Sequence, residues 1–364
     1  RLQKLALYFA KQYTPPDPRH AGKRLSPPVG RAHGWQTSGY HGAAATLFRE
    51  SNPAASRALA WLWARGGYPT SMGDGRLGAL NTLFLDTALP AEAPAWGSEL
   101  FPRLGAVLRH GFNTPSEHYL NLLSHVESRH NLDVWTPGVG GINTWFAHGA
   151  PVSVSFDFAG GYHERHELLR DGVLLARWYD GAEQGKMPFG YYTTTHPEAF
   201  AALPAADYVR ATYDITIPDD RPWFPEKMPA TPKVTPATAP KLRWTRQTLF
   251  VKDADPAGPT WLLLRDTAAG GQPTLWQFWS LSEKIGAARQ AGEPAFLAEK
   301  PGKTILPGRE LPRSDQYTAL GQLGVDLEFF VAAPADTPRA TMRYGGKTLH
   351  IEEYQDLLQL RRAG

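Results

Sequence analysis

The chain contains no cysteine, which excludes disulfide bonds and thiolate-held zinc sites from the start. That absence fits an oxidising compartment without establishing one. Long apolar runs are missing as well: nothing approaches the roughly 20 residues that a membrane-spanning helix requires, so no membrane span is expected. A strong excess of one charge is also lacking. The 38 Lys+Arg against 35 Asp+Glu leave a formal net charge of +3, and no basic run forms a stripe; nucleic acid is therefore not an expected partner. No Gly-rich phosphate loop ends in Lys-Ser/Thr, no Gly-x-Ser-x-Gly elbow occurs, and no dinucleotide fingerprint opens a strand-to-helix unit. These absences disfavour kinases, α/β-hydrolases and Rossmann oxidoreductases.

What the chain does have is length and aromatic content. Its 364 residues exceed one usual core, and 42% hydrophobic residues with twelve Trp can fill two. The first ~90 residues read as helices and loops. Residues 2–13 carry apolar side chains at helical spacing and are stopped by Thr14-Pro15-Pro16-Asp17-Pro18. Residues 43–50 predict a second helix. Asn52-Pro53 supplies an N-cap and first-turn pair for a third, which runs to Arg65 and ends at Gly66-Gly67. Three helices are too few for an independent domain. With Arg at position 1 and no leader-like opening, the expectation is a processed or fragmentary part of a longer precursor.

From about residue 95 short aromatic and β-branched stretches recur between Gly, Pro and Asp. Examples are residues 106–109, 118–123, 143–147, 152–158, 208–217, 247–251, 261–266, 275–280 and 327–331. Such spacing predicts antiparallel strands in a sandwich or stacked sheets. The expected organisation is α+β, mostly β, with residues 1–92 helical and 93–364 a β-sandwich. The Pro-rich tract 218–240 reads as a surface excursion.

Seven of the twelve histidines lie between His110 and His166. Histidine titrates near working pH, so a cluster points to proton transfer or metal ligation. His130 stands between Arg129 and Asn131: a neutral imidazole there can take a proton while the guanidinium holds a carboxylate. The competing reading is a loop histidine bonded to backbone. His163 and His166 with Asp157 offer two imidazoles and a carboxylate, a donor set that suits zinc, although on a strand positions i and i+3 face opposite ways. Tyr40-His41, flanked by glycines, offers a phenol and an imidazole on a loop; a Tyr packing a domain interface is the alternative. Trp35, Trp135 and Trp145 can stack on sugar rings or fill a core, and Asn143 joins Trp35, Trp135 and His41 as a substrate-binding candidate.

Several stretches resemble the C-terminal part of the heparinase II/III-like polysaccharide lyases. Phe101 to Arg109 (FPRLGAVLR) is similar to the strand that enters that family's β-domain. Trp145-Phe146-Ala147-His148-Gly149-Ala150-Pro151 is similar to its strand ending in Gly-x-Pro, and Arg165 to Gly172 to its Asp-Gly hairpin. Arg246 to Val251 and Trp261 to Asp266 resemble later strands, and Gly22 to Gly34 resembles the loop that closes its (α/α) toroid. The resemblance implies a toroid remnant over residues 1–92 and β-elimination at a uronic acid of an acidic polysaccharide or oligosaccharide, in the periplasm or outside the cell. It makes His130 the base or its helper, with Arg129 and Asn131 neutralising the carboxylate; the family's catalytic tyrosine comes from earlier helices, and Tyr40 is the proton-donor candidate by its own phenol chemistry. It also implies earlier helices of the same precursor as a partner. The family's short turn holds two histidines, where Glu127 to Asp133 holds one. Its metal positions map to Asn131, Ser155 and His166, leaving His166 and Asp157 as candidate ligands for a structural zinc or calcium that the sequence does not require. A non-catalytic carbohydrate-binding β-sandwich is the main alternative, and a glycoside hydrolase using Glu127 and Asp133 is a third.

Overall fold

A computed structural model describes residues 1–27, 37–70, 84–102, 105–123, 141–154, 165–170, 173–174, 192–216, 241–271, 274–287, 306–310, 314–332, 337–348 and 351–362. The helical part contains α1 (Leu2–Ala10), α2 (Tyr40–Phe48) and α3 (Pro53–Arg65). Asn52 caps α3 as its sequence predicts, its side-chain oxygen accepting from the Ala55 amide at 3.0 Å with proline in the first turn. α2 starts three residues before the expected position. Tyr40 and His41 therefore occupy its first turn rather than a loop, because the Ser38 hydroxyl accepts the Tyr40 amide at 3.1 Å and satisfies a free helix donor. Ala44, Ala45, Leu59, Trp61 and Leu62 pack α2 and α3 against Ala6, Ala10 and Tyr13.

The rest is mostly β, and every pairing among the described strands is antiparallel. The first sheet runs in order through β1 (Glu99–Phe101), β2 (Gly105–His110), β3 (His118–Leu123), β4 (Ile142–Ala147) and β5 (Ala150–Val154). β6 (Arg165–Arg170) and β7 (Val173–Leu174) pair with each other. A second sheet has the order β11-β10-β9-β8, with β8 at Tyr192–Ala202, β9 at Ala206–Thr216, β10 at Lys241–Val251 and β11 at Trp261–Ala269. A third sheet is built around β12 (Thr274–Ala287). In the strand order β12 lies between β17 (Ile351–Arg362) and β14 (Gln316–Gly321), and its first four residues also pair with β6. β13 (Leu306–Glu310), β15 (Leu327–Phe330) and β16 (Arg339–Thr348) complete it.

One apolar cluster joins all three sheets. Leu108, Leu120 and Val152 of the first meet Val209 and Phe250 of the second and Phe278, Tyr317 and Leu358 of the third. The opposite face of the first sheet meets the helices: Val107, Tyr119 and Phe146 form a cluster with Phe101 that Tyr8 of α1 packs against. The first sheet is thus buried on both sides, which is why β3 reads as six buried residues in a row instead of alternating.

Gly105, where β2 begins, has φ +131°, and a Cβ there would lie 1.7 Å from the Leu122 carbonyl oxygen. Both the backbone strain and the clash penalise any side chain. Gly105→Ala is expected to lower unfolding free energy by about 1–3 kcal/mol, read from the urea midpoint; a change within ~0.5 kcal/mol would contradict this packing.

Candidate functional site

The seam between helices and the first sheet holds a connected set of buried polar groups. At its centre is Glu117, fully buried where β3 begins. Arg24 donates to it at 2.5 Å and Arg109 at 2.7 Å, both guanidiniums also buried, and the Asn113 amide donates at 2.9 Å. Two cations share one carboxylate, so aromatic faces carry part of the compensation. The Phe112 ring sits 4.9 Å from the Arg24 guanidinium carbon and 5.4 Å from that of Arg109. Burial lowers the Arg109 pKa, and Glu117 opposes that shift.

Beside this network lies a tyrosine–histidine pair. The Tyr13 hydroxyl is 3.4 Å from His41 Nδ1, and the rings meet edge to face at 4.8 Å. Burial pushes the His41 pKa down to about 4, against an opposing hydrogen bond to the Ser38 backbone, so the imidazole is neutral at working pH. Burial likewise pushes the Tyr13 phenol up. His41 Nε2 has no hydrogen-bond partner among the described residues. Tyr40, half-buried at the head of α2, places its ring 6.2 Å from that of His41. The neutral imidazole can accept a proton or orient a phenol; as a buried group it supports a site rather than touching a polymer directly.

Asn143 also proves to be fully buried, with its side-chain amide donating to Asn121 Oδ1 at 3.0 Å across β4 and β3. A direct substrate contact is thus not what its environment offers. These two amides stand near the ends of β3 and β4 from which segment 124–140 departs. Arg129, His130, Asn131 and Trp135 fall in that segment and, like Trp35 and Asp157, lie outside the described residues. The His166 backbone is in β6, opposite Trp276 of β12. Trp145 packs on the sheet core, its ring 6.3 Å from Phe278 edge to face.

Three histidines of the rich window meet at one end of the first sheet. His118 is fully buried, with its ring 4.5 Å from that of His148 and 6.0 Å from that of His110. His118 Nε2 lies 3.0 Å from the Pro256 carbonyl of the β10–β11 loop. Burial chiefly, then the neighbouring histidines, push its pKa down to about 4, against that hydrogen bond. Among the described residues no group of three or more His, Asp or Glu is arranged to hold a metal ion. Part of the histidine density therefore packs the sheet end against a loop.

Residue reading missed Tyr13, Arg24, Arg109 and Glu117. Tyr13 falls at the end of the helix expected over residues 2–13. The available signal was a carboxylate, Glu117, placed eight residues after Arg109 across the β2–β3 turn. Comparison with protein families, with curated proteins and with solved structures found no match.

Proposed function

We propose that the chain is the C-terminal part of a polysaccharide lyase, in which α1–α3 are the last helices of an (α/α) toroid packed on a β-sandwich. Its substrate is an acidic, uronate-containing glycan, met in the periplasm or outside the cell. One observation carries the reading: buried contacts pin the helical layer to the same sheet whose β3–β4 connection holds Arg129, His130 and Asn131. The toroid assignment is supported by apolar surface on the helices. Leu2, Leu5 and Phe9 of α1 are 66%, 45% and 45% exposed, and Leu47 of α2 is exposed as well, leaving faces that further helices would cover.

In this reading Arg129 and Asn131 offset the uronate carboxylate, which makes the C5 proton acidic enough to remove. His130 takes that proton. The C5–H electron pair forms the C4=C5 double bond, the C4–O4 bond breaks, and the departing O4 takes a proton from Tyr40. Tyr40 is the phenol at the α2 head that keeps accessible surface, with neutral His41 and Tyr13 behind it. No step requires a metal. His166 and Asp157 remain a proposed structural site for zinc or calcium.

Incubation with a panel of uronate polysaccharides is expected to raise the ultraviolet absorbance of a 4,5-unsaturated uronate. His130→Ala is expected to lower that rate by roughly 10²–10⁴-fold; full activity in this variant would remove His130 from the mechanism. New reducing ends without the chromophore would identify a hydrolase, and binding without product a carbohydrate-binding module.

A further inference from the structure

We infer that Glu117 is a positioning residue for the Tyr13–His41 pair, acting through Arg24 and Arg109 on the backbone of residues 11–14. Its catalytic consequence rests on the lyase reading above, whereas the coupling is a property of the fold.

Four successive carbonyls follow the end of α1, where helix acceptors lose their intrahelical donors. Each is taken by a side chain. Arg109 Nη2 donates to Lys11 O at 2.9 Å and also to Tyr13 O. The Tyr119 hydroxyl donates to Gln12 O at 2.6 Å, and Arg24 Nη1 to Thr14 O at 3.0 Å. Cationic donors also suit the negative end of the helix dipole.

A guanidinium is a rigid planar fork, so one arm cannot turn without moving the other. Arg109 holds Glu117 Oε1 with Nη1 while Nη2 holds the carbonyls; Arg24 holds Oε2 with Nη2 while Nη1 holds Thr14. The carboxylate therefore sets the plane of both forks. Glu117 is anchored in turn: its amide donates to Thr114 O at 3.2 Å, and its carbonyl accepts from the Gly149 amide at 3.0 Å. The chain of contacts runs from the rigid β3 start to the backbone of Tyr13. The phenol at its end meets His41 at 3.4 Å, near the outer limit of a hydrogen bond, so a backbone shift of a few tenths of an ångström breaks the contact.

Ring spectra of the histidines, recorded by NMR on the whole chain across pH, test this coupling. In Glu117→Gln the Tyr13–His41 cross-peak is expected to be lost and the His41 ring signals and midpoint to shift. His118, equally low but held by Pro256, should keep its midpoint. Tyr119→Phe removes one carbonyl contact, keeps both ion pairs and should move His41 in the same direction by less. An unchanged His41 in a folded Glu117→Gln overturns the proposal, as does an equal shift of His118, which would mean general loosening. If Glu117→Gln does not fold, Tyr119→Phe decides alone, and an unmoved His41 there overturns it. Absence of unsaturated product from the wild-type chain would sink the lyase reading and leave the titration result standing.

Discussion

Glu117→Ala is expected to destabilise the chain by about 3–5 kcal/mol, among the largest effects of any single change. The reason is not the value of the ion pairs themselves. A buried pair roughly breaks even against apolar packing, but deleting one partner leaves uncompensated charge out of water. Here two guanidiniums would remain, each at 3% exposure or less, facing, among the described residues, carbonyls and the Phe112, Trp61 and Tyr119 rings. Desolvated cation–π contacts give about 2 kcal/mol each and cannot replace a carboxylate. The exposed pair Arg57–Glu92, at 2.7 Å with side chains 40% and 67% exposed, is the natural control. Glu92→Ala should cost less than about 1 kcal/mol despite the similar distance. Urea denaturation of the two variants makes the comparison; equal losses would show that burial does not set the cost.

Acidification provides the second large effect. His41 has an ordinary pKa of 6.5 when unfolded and about 4 in the fold. Above pH 6.5 neither state binds the proton, and the full stability is present. Between 6.5 and 4 the unfolded chain takes up a proton that the fold refuses, so stability falls with pH. The loss reaches about 3 kcal/mol at pH 4 and then levels off. His118 shifts in the same direction and steepens the same window. Thermal unfolding from pH 7.5 to 4.5 should show this decline, shallower in His41→Gln. A wild-type curve flat across that range would refute the buried neutral imidazole. Below pH 6.5 any activity that depends on the α2 head should become less durable on incubation.

Local elements were largely legible. The Asn52-Pro53 pair set the start of α3, and β3 was found with both ends right, because capping chemistry and a bounded apolar run are short-range signals. β16 and β17, each ten residues or more, were missed. Polar residues such as Arg343, Gln355 and Asp356 break their periodicity, and they exist as strands by pairing with each other and with β12. α2 was placed too late because Gly42 and Gly39 read as loop, while Gly42 is in fact pressed against Trp63, its would-be Cβ 2.6 Å from the indole.

The sequence by itself determined the chemistry available: no thiols, little net charge, a histidine-rich middle, helices first and strands after. It also singled out His41 and Asn143, without saying that both are buried. Only the tertiary structure decided that Tyr13, rather than the adjacent Tyr40, contacts His41 through its hydroxyl, and that Arg24 and Arg109 converge on Glu117. Arg24 and Glu117 are 93 residues apart. Nothing local in a chain encodes which distant carboxylate a guanidinium will meet; that follows from how the helices and the sheet close over their shared apolar surface, which excludes water from the charges between them.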